Sequence, residues 1–293
     1  MKSLAFVLCI AALGCGKKSE SPSVGSGSAP APVAKASCPP DKIQNGASCE
    51  SPGSVVPPTA LEAVTTQQSR IDELGKTLDH VEAISAPIEL LNGIRQLDEW
   101  KQVAATSTKL QVVDQVVATL NDALTKLRAF RASLGTAAQK LGNLRGELDA
   151  LLASPAGQDL EALRTKYSKE IRDTVQPLAT EATDAIQHAI APLEQQLSDT
   201  GDLIIGACAM AKLSGGSDQL KALCAQAKDV FAKANAYLAD FKAKPAQLVT
   251  DLTAQLESHL LLLIDDGTKT ALDAAQKQVN DALKLPAGSG SGS

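Results

Sequence analysis

Aromatic residues are scarce. One Trp, two Tyr and four Phe make up 2% of the 293 residues, whereas 44% of the chain is hydrophobic. The core must then be built from Leu, Val, Ile and Ala, which suit closely packed helices, and an all-β fold is excluded. Basic charge is not in excess either. The 28 Lys+Arg stand against 33 Asp+Glu, a net charge of −5, so the sequence-independent attraction to phosphate backbones is missing and nucleic acid is not an expected partner. Histidine is limited to His80, His188 and His259, far apart, and no C-x-x-C occurs, so no metal site is expected. No phosphate-loop, H-E-x-x-H, G-x-S-x-G or calcium-loop pattern appears. The reading is therefore of a non-enzyme with no cofactor.

Two weak constellations are read as structural. Asp79-His80 looks like a dyad, but adjacent helical residues point about 100° apart. Asp265-Asp266-Gly267 offers two carboxylates without further oxygen ligands, the pattern of a helix kink or recap.

What is present begins with an address. Residues 1–16 carry Lys2, an apolar run from Leu4 to Leu13, then Gly14 and Cys15. The run is too short for a permanent membrane helix and has the anatomy of a signal peptide, assigned to residues 1–14. Ala12-Leu13-Gly14-Cys15 resembles the lipobox of bacterial lipoproteins, with Ala12 standing where Leu is usual. The resemblance implies cleavage before Cys15, lipid on its thiol, and, because Gly16 replaces the retention Asp, the outer membrane. Ala12-x-Gly14 also satisfies ordinary signal peptidase, which leaves a secreted chain as the alternative. Several acyl chains on Cys15 would anchor the protein stably, where one would not. Residues 15–58 read as a tether. Its 16–37 stretch of Ser, Gly, Pro, Ala and Lys has almost nothing to bury and, as a random coil, reaches roughly 25 Å.

Four Cys remain for an oxidising compartment. Cys38 and Cys49 bracket Pro39-Pro40 and Asn45-Gly46, and spacing pairs them as a small stapled loop over 38–49. Cys208 and Cys224 flank Ser214-Gly215-Gly216-Ser217 and are expected to staple two antiparallel helices.

The body, 59–285, reads as an all-α, elongated up-down bundle of long coiled-coil-like helices, followed by a disordered Gly/Ser tail over 286–293. Thr59-Ala60-Leu61-Glu62 has the form of a capping box starting the first helix. Between 110 and 152, Leu110, Val117, Leu124, Ala138 and Leu152 fall on one heptad position, with Arg131 and Arg145 at its edge. Flanking rows through Leu127 and Phe130 widen the stripe to three of every seven positions, as a multi-helix bundle requires. Breaks are expected at Ser85-Ala86-Pro87, near Thr106-Ser107, at Ser154 to Gly157, at Ser214 to Ser217 and at Lys244-Pro245. They divide the body into four legs, 59–105, 107–153, 155–213 and 218–285. Pro177 and Pro192 are expected to bend the third leg, because apolar spacing continues through them.

These features predict a membrane-anchored lipoprotein whose bundle serves as a scaffold, spacer or binding module at the cell envelope. Its expected partners are the membrane, through lipid on Cys15, and an envelope protein or a second copy. Two alternatives stay open. The apolar segments Leu203 to Ala211 and Leu260 to Ile264 favour core packing, yet long helices with an apolar hairpin end resemble the soluble form of cytolysin-type pore-forming toxins, in shape and not in motif. A bundle rich in Leu and Ala also suits a carrier of a small apolar ligand.

Overall fold

A computed structural model describes residues 38–80, 82–106, 113–213 and 217–284. The signal peptide, Cys15, the 16–37 tether and the 286–293 tail lie outside the described residues, as do Leu110 and residues 214–216 of the expected hairpin turn.

The chain enters through a two-stranded hairpin, β1 (Ile43–Asn45) and β2 (Ser48–Glu50), with Gln44 opposite Cys49. Gly46, at φ +59°, opens the two-residue turn in the left-handed region that favours glycine. A single turn of helix, α1 (Pro52–Val55), is capped by Ser51, whose side chain accepts from the Ser54 amide. Helix α2 (Pro58–Asp79) starts without the expected capping box. Pro58 takes the first helical position, where its fixed φ helps and its missing N–H leaves no orphan donor. Thr59 therefore lies inside the first turn, with its Oγ1 3.3 Å from Nδ1 of His259.

Helix α3 (Glu82–Gln96) runs through Pro87, so no break occurs at Ser85 to Pro87. Pro87 is near the start of the helix, and its missing amide affects only the Ala83 carbonyl one turn back. The interruptions fall at His80, which caps α2, and at Leu97, before α4 (Asp98–Thr106).

Helix α5 (Val113–Ala153) has 41 residues, about 60 Å of rise. Its buried positions follow the heptad rows, including Val117, Leu120, Leu124, Leu127, Phe130, Leu134, Leu141 and Leu148. Arg131 and Arg145 sit at the stripe's edge, half-exposed and paired with Asp79 and Asp149. The turn that follows uses Gly157 at φ +72°, and Asp159 caps the next helix by accepting from the Glu161 and Ala162 amides.

The third leg is one continuous helical path: α6 (Leu160–Asp184), a π-helical segment (Ala185–Ile190) and α7 (Ala191–Leu213). Both prolines are accommodated without ending it. Pro177 has no amide for the Asp173 carbonyl, and Lys140 Nζ of α5 donates to that carbonyl instead, at 2.5 Å. The wide π turn directly precedes Pro192 and opens the space its ring needs against the preceding carbonyls.

Ser217 caps α8 (Asp218–Phe241), which meets α9 (Lys244–His259) at a break over Lys242 and Ala243. The fourth leg does not continue to 285. Leu260 ends α9, Leu261–Leu263 form one 3-10 turn, Ile264 is extended, and α10 (Asp266–Lys284) folds back against α6 and α9 as a fifth leg.

The result is an all-α helical bundle in two tiers that share α5 and the α6–α7 path. The Asp79–Arg131 pair marks where α2 ends along α5. Below it α2, α6, α9 and α10 pack together, and above it α3, α7 and α8 pack around the N-terminal half of α5. One hydrophobic core runs through both tiers, from Ile43 to Ala282. The α7–α8 contact is close: a Cβ added at Gly201 would lie 3.2 Å from the Phe231 ring.

Candidate functional site

The end of the bundle where the chain enters holds two of the features singled out from sequence, the Cys38–Cys49 loop and the Asp265-Asp266-Gly267 corner. Cys38 and Cys49 are joined in a disulfide with 5.6 Å between their Cα atoms. The loop they close is seated on the bundle. Ile43 has no exposed surface, and the Gln44 amide donates to the Gln158 carbonyl at 2.9 Å in a short parallel bridge beside Asp159. The alternation of Ile43 in and Gln44 out across a three-residue strand was too short to read from sequence as a docking element.

At the same end, the α9–α10 corner is held by a polar cluster. Ser168 Oγ of α6 donates to the Leu263 carbonyl at 3.3 Å and accepts from the Asp265 amide at 2.8 Å. Asp265 Oδ1 accepts from the Thr268 amide at 2.6 Å, and Thr268 Oγ1 donates to the Ser168 carbonyl. The Thr268 bonds hold the Asp265 carboxyl below its ordinary range, with Arg172 adding to the effect. The Asp-Asp-Gly sequence thus recaps a helix.

Cys208 and Cys224 are joined in a second disulfide, between α7 and α8. From Asp159, beside the first loop, to Cys208 the helical path rises about 70 Å. Of the apolar run Leu203 to Ala211, Ile204 and Cys208 are buried in the core and Ile205 is exposed. Leu260 and Leu263 are likewise buried, leaving Leu261 and Leu262 outside. Among the described residues no helix is long and apolar enough to cross a membrane.

The histidines are not brought together. His80 and His188 are exposed on different elements, and His259 meets Thr59. No group of three or more His, Cys, Asp or Glu able to hold a metal ion occurs among the described residues.

One feature has no sequence signal: a groove of about 300 Å³ between α2 and α9, floored by Leu74 and Leu248 and rimmed by Arg70, Glu73, Lys244 and Asp251. Its two walls are some 180 positions apart in the chain, and each reads separately as an ordinary polar helix face. Arg70 and Asp251 pair across it at 2.9 Å, and Lys244 pairs with Asp240. Beside it Tyr237 donates to the Thr77 carbonyl at 3.0 Å, and burial pushes its hydroxyl up to about 12. An open groove with charged rims and a narrow apolar floor suits a polar segment of a protein surface better than an enclosed apolar ligand.

No protein-family model matches this chain, and neither does any curated protein or any solved structure.

Proposed function

We propose that the protein is a lipid-anchored scaffold or spacer of the bacterial cell envelope. Lipid on Cys15 fixes it to the outer membrane, residues 16–37 act as the tether, and the helical bundle presents its surface to an envelope protein or to a second copy. The observation that supports this reading best is the seating of the 38–49 loop. The first described segment after the tether is covalently closed, buries Ile43 in the core, and joins the chain to one defined end of the bundle. A tether attached there leaves the second tier, with the Cys208–Cys224 staple, as the distal part.

The test is fractionation of the wild-type and Cys15→Ala proteins from their native envelope, followed by in-cell crosslinking and capture. The wild type is expected in the membrane fraction and the variant in the soluble fraction, with a crosslinked partner recovered only from the anchored form. A Cys15→Ala protein that still sediments with membranes would remove the anchor.

A further inference from the structure

Among the described residues only three large hydrophobic side chains are exposed: Ile205, Leu261 and Leu262. Two of the three are neighbours on one 3-10 turn, with Leu261 64% exposed and Leu262 39% exposed. The turn has little freedom to hide them. Leu260 and Leu263 on either side are buried, the Leu263 amide donates to the Leu260 carbonyl at 2.8 Å, and Arg164 Nε donates to the Leu262 carbonyl at 3.1 Å. Ser168 holds the Leu263 carbonyl from below. A turn whose backbone is tied on all sides, with two leucines standing outward, is an apolar contact waiting for a surface.

Most of the charges around the corner are matched among themselves. Arg164 pairs with Glu161 at 2.6 Å, Lys269 with Glu257 at 3.0 Å, and the Asp265 carboxylate is occupied by the Thr268 amide. Arg172 faces the Asp265 carboxylate, and Asp266, exposed at the start of α10, leaves a small excess of negative charge beside the leucines, so contact with a headgroup layer rests on the leucines themselves.

The corner also lies at the end where the chain enters the bundle. Arg164 is one turn beyond Asp159, which bridges to Gln44 in the Cys38–Cys49 loop. The chain that follows the lipidation motif enters the bundle at this end, through Cys38. We propose that Leu261 and Leu262 dip into the interface of the bilayer that carries the anchor, a second and weaker membrane contact that sets the bundle's tilt. The proposal rests on the lipid-anchor reading. Two leucines alone would bind a membrane weakly, but a tether of some twenty residues keeps the corner at an effective concentration in the millimolar range, where a weak contact is populated.

The full acylated chain, both disulfides intact, is reconstituted into vesicles of phosphatidylethanolamine and phosphatidylglycerol containing nitroxide-labelled lipid. A fluorophore is placed at Ser258→Cys, exposed one turn before the corner, or at Gln219→Cys in the distal tier. Flotation reports the anchor, and quenching reports the contact. Protein that floats is expected to be quenched at position 258 and not at 219, with the quenching at 258 reduced several-fold by Leu261→Ser/Leu262→Ser. Floating protein that is unquenched at 258, or whose quenching survives the double substitution, overturns the leucine contact while leaving the anchor standing. Protein that does not float overturns the anchor and the contact together.

Discussion

Ser168 has no exposed surface, yet its hydroxyl and carbonyl meet three groups of the α9–α10 corner at once. Ser168→Ala strands the Asp265 amide and leaves the Leu263 carbonyl without that donor, and it is expected to lower stability by about 1–3 kcal/mol, read as a fall in midpoint on chemical denaturation. Asp265 acts on the same corner through charge. Its carboxyl is held below the ordinary carboxylate value, so its contribution is present above about pH 4 and is lost as pH falls through the lowered folded value. Asp265→Asn should flatten that part of the stability–pH profile, and Asp265→Ala should cost about 1 kcal/mol at neutral pH, as for other helix caps. Tyr237 has the opposite sign. Its hydroxyl is favoured neutral, so stability is full below pH 10 and declines towards about 12, and ultraviolet titration should show one tyrosinate appearing near the top of that window. The recapping role of Asp265 was legible in Asp-Asp-Gly. Ser168 was not, because a serine in a helix reads as surface until a segment nearly a hundred positions away is folded onto it.

At the scale of the element, periodicity carries most of the information. The heptad rows of α5 are its buried face, and adjacent residues there differ sharply in weight. Phe130→Ala, at a position with no exposed surface, should cost about 3–5 kcal/mol, whereas Arg131→Ala, on the surface beside Asp79, should leave the denaturation midpoint almost unchanged. The prolines show what periodicity leaves out. Pro87 reads as a break, but its effect depends on how many turns precede it, and α3 begins late enough that only the Ala83 carbonyl is affected. Pro177 is absorbed by a neighbour, through the bond from Lys140 to the Asp173 carbonyl. Pro177→Ala would return an amide to that carbonyl, and the penalty of Lys140→Ala should then shrink by about 1 kcal/mol in a double-mutant cycle read by thermal denaturation. The fold-back after Leu260 was legible only in part, since Asp-Asp-Gly marks a kink or a recap without saying which. The apolar run Leu260 to Ile264 is what a continuing helix would also show, and the turn is decided by hydrogen bonds from α6.

For the whole molecule, the two disulfides divide the labour by tier. Both were legible from spacing, since each closes a short loop across a turn. The pair Cys208–Cys224 joins α7 to α8 in the upper tier, where the Gly201–Phe231 approach leaves little room for rearrangement. Cys208→Ser with Cys224→Ser should lower stability by about 3 kcal/mol, and hydrogen exchange should show the loss concentrated in α7 and α8, with α2 and α6 protected as before. Had the four legs run straight, the C-terminus would have finished at the end where the chain enters. The fifth leg instead carries it back away from that end, along α6 and α9, which thickens the lower tier.

The closed 38–49 loop has a mechanical consequence. A pull applied on the N-terminal side of Cys38 crosses to Cys49 through sulfur, so the strand that carries Ile43 bears none of the tension along its own backbone. The intervening backbone, roughly 35–40 Å if drawn straight, cannot be released as slack. Load arrives at Ser51 and α1 with the hairpin still seated, and the first element to yield must be helix and not loop.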